Sequence, residues 1–314
     1  MKSSHGYAPN DMETQALLLL ARLGRLLSRH LHVAWGYSCS IQNVNLSLRK
    51  LTAAGLISFV EHYEAHGRRK GEPYHPWKRH GRIYSLTPAG WEYLNQAFPT
   101  LEETHERLAP TYFNPRHQAE HQIEYGDLIT SVIRALGTIP GIIGISSYIE
   151  MDLGPDARPR ADGILIMRRW SNATLPHLEQ SSLYPWLLMP RQNHQIDRTF
   201  AIEIDRGTEE IAVLQGKAES YAAVFQSGYW KNKYQWPIVA FAVPTESRKQ
   251  KILDAWERGW PRSMAIATTF AAIHDQGVLA SIWTLQRTVN GQRTHEPYSF
   301  IPSAWRTQIV GESA

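Results

Sequence analysis

The feature that most constrains this chain is a series of short apolar runs in its last two thirds, separated by stretches of helical periodicity. The runs are Ile142–Met151, Ala161–Met167, Phe200–Asp205, Pro237–Val243 and Ala265–Thr269, and their lengths suit strands. Helical patterns accompany them at His117–Leu136, where Ile129, Val132, Ile133 and Leu136 share one stripe, and at Thr208–Phe225 and Ser247–Arg258. The order helix, three strands, helix, strand, helix predicts an α/β sheet covered by helices. Three consecutive strands argue against a doubly wound nucleotide fold. Neither GxxxxGK[ST] nor a strand–GxGxxG–helix unit occurs, which argues against P-loop ATPases and dinucleotide enzymes.

The first hundred residues follow a different pattern. Leucines at 17, 18, 19, 20, 23, 26, 27 and 31 have helical spacing, and Gly24 predicts a break into two short helices. Ser40 is placed to cap a further helix, on which Val44, Leu48 and Leu51 fall on one face and Gln42, Asn43, Asn45, Arg49 and Lys50 lie away from it. Gly55 ends that helix, and Leu56–Val60 reads as a strand. A second strand, Arg82–Leu86, precedes Thr87-Pro88, a helix start with a capping threonine and proline at the first turn. Helices, a polar-faced helix and a hairpin with a basic tip describe a winged helix. The polar face can read base edges in a major groove, and Arg68, Arg69, Lys70, Lys78 and Arg79 in the tip can reach phosphates.

Charge supports the same division. The 314 residues carry a net charge of +4, yet residues 1–100 hold twelve Lys/Arg against six Asp/Glu, while the remainder is nearly balanced. That asymmetry suggests a nucleic-acid-contacting module joined to something else. With 43% hydrophobic and 20% charged residues the chain can build packed cores, and global disorder is excluded. A single cysteine, Cys39, excludes an internal disulfide framework and a cysteine-based zinc site. No apolar run is long enough to cross a bilayer and no secretory leader is evident, so a cytoplasmic, DNA-associated protein is expected. Pro99–Pro115, with three prolines, reads as a connector.

Three carboxylates stand out in the later region. Asp162 opens one apolar strand, while Glu203 and Asp205 share a face of another, because strand side chains alternate. Acids converging on neighbouring strands favour a hard cation such as Mg²⁺ or Mn²⁺, which could activate water and stabilise charge on a scissile phosphate. The competing reading has them capping loops or pairing with Arg160 and Arg206.

The strings RADGILIM (Arg160–Met167), FAIEIDRGTE (Phe200–Glu209) and KAESY (Lys217–Tyr221) resemble the replication-relaxation family of plasmid and mobile-element proteins, related to the MobC-type mobilisation relaxases. Asp162 followed by Glu203 also resembles the D…(D/E)xK mark of restriction-endonuclease-like nucleases. The resemblance spans residues 13 to 285 and is most specific in EIDRGTE. It implies an α/β (α+β overall) chain with an N-terminal winged helix-turn-helix and a PD-(D/E)xK nuclease-like mixed-sheet domain. The corresponding divisions are 1–98, a linker at 99–116, and 117–314.

What the family implies is a Mg²⁺- or Mn²⁺-dependent nickase or nuclease acting on double-stranded DNA, as a homodimer or with replication, transfer or transposition proteins. Asp162, Glu203 and Asp205 would hold the metal, and Lys217 would support the nucleophile or phosphate. One departure matters: Asp205 stands where a lysine is expected two residues after Glu203, so Lys217 would have to substitute from the following helix. Its absence keeps open a catalytically inactive DNA-binding platform, or a plain regulator with a ligand-sensing domain. Glu210 shares the flank of Lys217. Glu120 and Glu124 on the 117–136 helix read as a solvated face, and His121 as a buried structural histidine. Ser171–Asp197 reads as an insertion or flap.

Overall fold

The computed structural model describes residues 7–35, 39–62, 81–98, 115–137, 142–152, 160–170, 195–228, 238–261, 264–289 and 292–301. The chain is mixed α/β and divides into two compact units, the first of which runs from the N-terminus to Arg134.

In the first unit, α1 (Asp11–Leu23) starts at a reciprocal cap. Asn10 Oδ1 accepts from the Glu13 amide, and Glu13 Oε2 accepts from the Asn10 amide, both at 2.9 Å. The helix ends where Gly24 takes φ 71°. The expected break at Gly24 is there, but it holds a three-residue strand, β1 (Arg25–Leu27), before α2 (Ser28–Ala34). Next come α3 (Ile41–Ala53), β2 (Ile57–His62), β3 (Gly81–Leu86) and α4 (Pro88–Ala97). The strands form an antiparallel sheet in the order β1-β3-β2.

Local chemistry explains the boundaries. Ser40 Oγ accepts from the Asn43 amide to cap α3, and Gly55 at φ 76° turns the chain into β2. Thr87 Oγ1 caps α4 by accepting from the Gly90 amide, and its hydroxyl donates to the Gly55 carbonyl at 2.6 Å, tying the two turns together. Gly90 is required there, because a Cβ would lie 2.1 Å from the Leu56 carbonyl oxygen. Val44, Leu48 and Leu51 are fully buried, each contributing roughly 1.5–3 kcal/mol.

A long helix, α5 (Pro115–Gly137), continues this unit. Its Asp127 is held by two residues of α2: Arg29 donates from Nε at 3.0 Å and from Nη2 at 2.7 Å, and His30 Nε2 lies 2.9 Å away. His30 Nδ1 accepts from the Leu27 amide, so the ring proton sits on Nε2 and is donated to Asp127. Burial alone would raise the Asp127 pKa, but His30 and Arg29 outweigh it and hold the carboxyl below its ordinary value. A Cβ on Gly126 would come within 2.5 Å of the His30 ring. These contacts tie α5 to α2 within the first unit.

The second unit is a seven-stranded mixed sheet in the order β10-β9-β8-β7-β6-β5-β4. Strands β4 (Ile142–Asp152), β5 (Arg160–Trp170) and β6 (Gln195–Ile204) form an antiparallel meander. Then α6 (Ile211–Gln226) leads to β7 (Ile238–Val243), and α7 (Glu246–Gly259) to β8 (Ala265–Thr269), both pairings parallel. After α8 (Phe270–Gln276), β9 (Trp283–Val289) and β10 (Gln292–Tyr298) complete the sheet antiparallel. All six residues of β7 are buried, as expected of a central parallel strand covered on both faces.

One face packs on α6 and α7. Trp256 stands edge-on to Tyr221 and Phe241, with ring centroids 5.1 and 4.8 Å away. The two helices approach so closely that a Cβ on Gly259 would lie 2.5 Å from the Gln215 carbonyl oxygen. This packing fixes which α6 residues face the sheet, and so builds the site below. Among the described residues no helix is long and apolar enough to cross a membrane.

Candidate functional site

Strands β5 and β6 run antiparallel with Gly163 opposite Ile202, so Asp162 and Glu203 stand opposite each other one position further on. Asp162 Oδ2 accepts from the Ile204 amide at 2.6 Å, which fixes it across the strand boundary. Glu203 is 2% exposed and points to the helix-covered face. There α6 supplies two partners one turn apart: Lys217 Nζ lies 2.5 Å from Oε2, and the Tyr221 hydroxyl donates to Oε1. Lys217 reaches the carboxylate from the flank of the buried stripe while its side chain stays 22% exposed, with an aliphatic stem long enough to bridge the two.

The electrostatics follow from burial and this company. Desolvation is the main cause that pushes the Glu203 pKa up to about 7; Asp162 adds to the rise, and Lys217 and Tyr221 oppose it. Burial by itself would lower the Lys217 pKa, but Glu203 and Asp162 overcome that and raise it, so the ammonium stays charged. Tyr221 is raised well above its ordinary value, first by burial and then by Glu203, and remains a neutral donor. Glu209, at the start of the same helix, also acts on Lys217. Glu210 is the exposed N-cap residue of α6 and makes no side-chain capping bond.

Asp205 lies at the same strand end and has a different partner. Arg248, in the first turn of α7, donates from Nε and Nη2 to its two oxygens, each at 2.7 Å, and from Nη2 to the Glu209 carbonyl. The Gly207 amide adds a bond at 3.0 Å. A planar guanidinium meeting a carboxylate through two bonds is a strong, oriented pair. Arg206 and Arg160 were the sequence candidates for pairing with the acids; the residue that holds Asp205 is Arg248, 43 positions on. Among the described residues no three His, Cys, Asp or Glu side chains converge as a metal site.

The other candidate surface is α3. Gln42, Asn43, Arg49 and Lys50 are exposed and Asn45 is half-buried. Lys50 Nζ comes within 3.8 Å of Glu13 Oε1 on α1. Within the β2–β3 pair, the Arg82 guanidinium lies over the Phe59 ring at 4.3 Å. Arg68, Arg69, Lys70, Lys78 and Arg79 lie outside the described residues, as does most of 171–197. On α5, Glu124 is 8% exposed rather than part of a solvated face, and His121 is half-buried.

Sequence reasoning passed over Tyr221, Arg248, Arg29, His30 and Asp127. Only Tyr221 had a local signal: it falls on the inward stripe of α6, four residues after Lys217, and a buried hydroxyl needs an acceptor. The others pair across 43 to 98 residues, a separation no periodicity reveals.

These features define a two-unit α/β protein in which a polar-faced helical unit precedes a mixed sheet with a buried carboxylate–ammonium centre at one strand end. A family model described as Replication-relaxation matches residues 17–237, well over half of the chain, and the chain belongs to the replication-relaxation family. Membership suggests a role in plasmid or mobile-element replication or mobilisation, with DNA and replication or mobilisation proteins as partners. No curated protein and no solved structure matches the chain.

Proposed function

We propose that the protein binds double-stranded DNA through a winged-helix first unit and acts on a phosphodiester bond at the Asp162–Glu203–Lys217 centre of the second. The observation that carries this reading is the meeting of Asp162 and Glu203 across adjacent strands with the Lys217 ammonium on Glu203. Within the second unit, the order β4, β5, β6, α6, β7 supports a nuclease-like core of the PD-(D/E)xK kind. For the first unit, the support is the capped, acid-free α3 with its exposed amides and cations, followed by a strand hairpin.

Two neighbouring carboxylates suit a hard divalent cation, since Mg²⁺ is commonly held by one or two acids and completes its shell with water and phosphate oxygens. Asp162 and Glu203 would hold it, and the bound ion would supply Lewis-acid stabilisation of the phosphate and a more acidic water. In this reading Asp205 is an anchor for Arg248, whose guanidinium meets it through two parallel bonds, and not a ligand. Lys217 serves from the helix in place of the strand lysine, holding positive charge beside the phosphate.

A second reading is favoured by one observation. Both Glu203 oxygens already have donors, which suits a locked, non-catalytic core that serves as a platform for DNA or partner proteins. Supercoiled plasmid carrying the DNA that neighbours this gene separates the two. Nicking with Mg²⁺ or Mn²⁺, stopped by EDTA and lost in Asp162→Asn and Glu203→Gln, supports the nuclease. Intact plasmid with strong, salt-sensitive gel shifts supports the platform. Lys217→Met then tests the displaced lysine.

A further inference from the structure

The exposed face of α3 carries a residue that the readings above leave unused. Leu46 is 51% exposed, although the helix has Val44, Leu48 and Leu51 fully buried to do its packing. Gln42 and Asn43 precede it by four and three residues, and Arg49 and Lys50 follow it by three and four, all exposed. That spacing puts the five side chains on one stripe with leucine at the centre. Residues 41–53 contain no Asp or Glu.

A lone exposed leucine is common and needs no explanation. Its position here does. The stripe offers amides on one side, cations on the other and a single isobutyl group between them. A protein partner would call for a wider apolar patch with aromatic anchors, and this stripe has only Leu46. The lack of acids and the presence of Arg49 and Lys50 make the face complementary to a polyanion. The major groove of DNA presents the matching set: adenine edges for amides, guanine edges and phosphates for cations, and one apolar group, the C5-methyl of thymine.

We propose that Leu46 is a specificity-determining contact to a thymine methyl in the DNA site of this protein. The inference rests on the reading of the first unit as a DNA-binding unit. Contact removes the thymine methyl and part of the leucine side chain from water together, which corresponds to about a 3- to 5-fold preference for the methylated base. The direction is fixed: the protein prefers thymine to uracil at one step, and loses that preference with the leucine.

The test begins with duplexes enriched by the full-length protein from a random pool, followed by replacement of each thymine with uracil, which lacks only the methyl. At one or two positions the wild type should bind the uracil duplex about 3- to 5-fold more weakly. Leu46→Ala and the length-preserving Leu46→Gln should keep the salt dependence of binding and show no difference between thymine and uracil. Thermal melts report that both variants fold.

Unchanged thymine–uracil discrimination in the two variants, or none in the wild type, overturns the role of Leu46 while leaving DNA binding in place. Loss of all binding in both folded variants also overturns it, since a single base contact cannot carry the whole affinity. Absence of any salt-sensitive binding by the wild type overturns the DNA-binding reading and this inference together.

Discussion

The α3 face and the Glu203 centre are both polar, yet they are built on opposite principles. On α3 Gln42, Asn43, Arg49 and Lys50 stand in water, and among the described residues only Lys50 has an acid within 4 Å, Glu13 at 3.8 Å. The Glu203 and Asp205 carboxylates, by contrast, are buried and answered by named donors: Lys217 and Tyr221 for one, Arg248 for the other. A solvated face costs the fold nothing and keeps its bonding capacity for a partner. A buried charge must be neutralised within the fold, so its partners become part of the stability of the unit. Substitution on the first surface should therefore alter binding alone, whereas substitution at the second should alter folding as well.

The largest effect is expected from Lys217→Met, which leaves Glu203 buried beside Asp162 without its cation. Breaking such a pair should destabilise the protein by about 3 kcal/mol at pH 8. The loss should shrink at pH 5, where Glu203 is neutral because its pKa is raised to about 7. Urea denaturation of wild type and variant at the two pH values measures this. A loss equal at both would mean that the carboxylate charge is not what Lys217 offsets.

A smaller effect sharpens the same point. Because the Glu203 pKa in the folded protein, about 7, lies above its ordinary 4.5, the native state binds more protons than the unfolded one between those values. Its contribution to stability is fully present below about pH 4.5 and is lost as pH rises through about 7. Glu203→Gln should flatten that part of the stability–pH profile. An unaltered slope would place the titration elsewhere.

The smallest effect on stability belongs to Arg49→Ala and Lys50→Ala. Each should shift the unfolding free energy by no more than about 0.5 kcal/mol. Each should also lower the slope of log affinity for DNA against log salt by about 1. A large loss of stability from Arg49→Ala would erase the contrast between the two surfaces.

What could be read in the sequence were the elements whose signals are local. The cap at Ser40, the stop at Gly55, the Thr87-Pro88 start and the inward stripe of Val44, Leu48 and Leu51 all depend on neighbours within a turn or two. The strands bearing Asp162 and Glu203 showed as apolar runs, since β5 and β6 lie inside the sheet. The hairpin β9–β10 did not, because β10 is polar and mostly exposed at the edge of the sheet and its sequence carries no alternation to betray it. β1 was hidden for another reason: three residues after a leucine-rich helix offer no period of their own, and only pairing with β3 makes them a strand.

The anchoring of α5 by Asp127 bears on how such proteins can be recombined in evolution. A crossover in the proline-dotted stretch at 99–116 would separate Asp127 from Arg29 and His30, leaving each side to inherit half of an interlocking charge set. Exchange after Arg134 transfers the set whole. Exchange between members of the family should therefore carry this long helix along with the N-terminal unit, and chimeras joined beyond it should fold where those joined at the prolines fail.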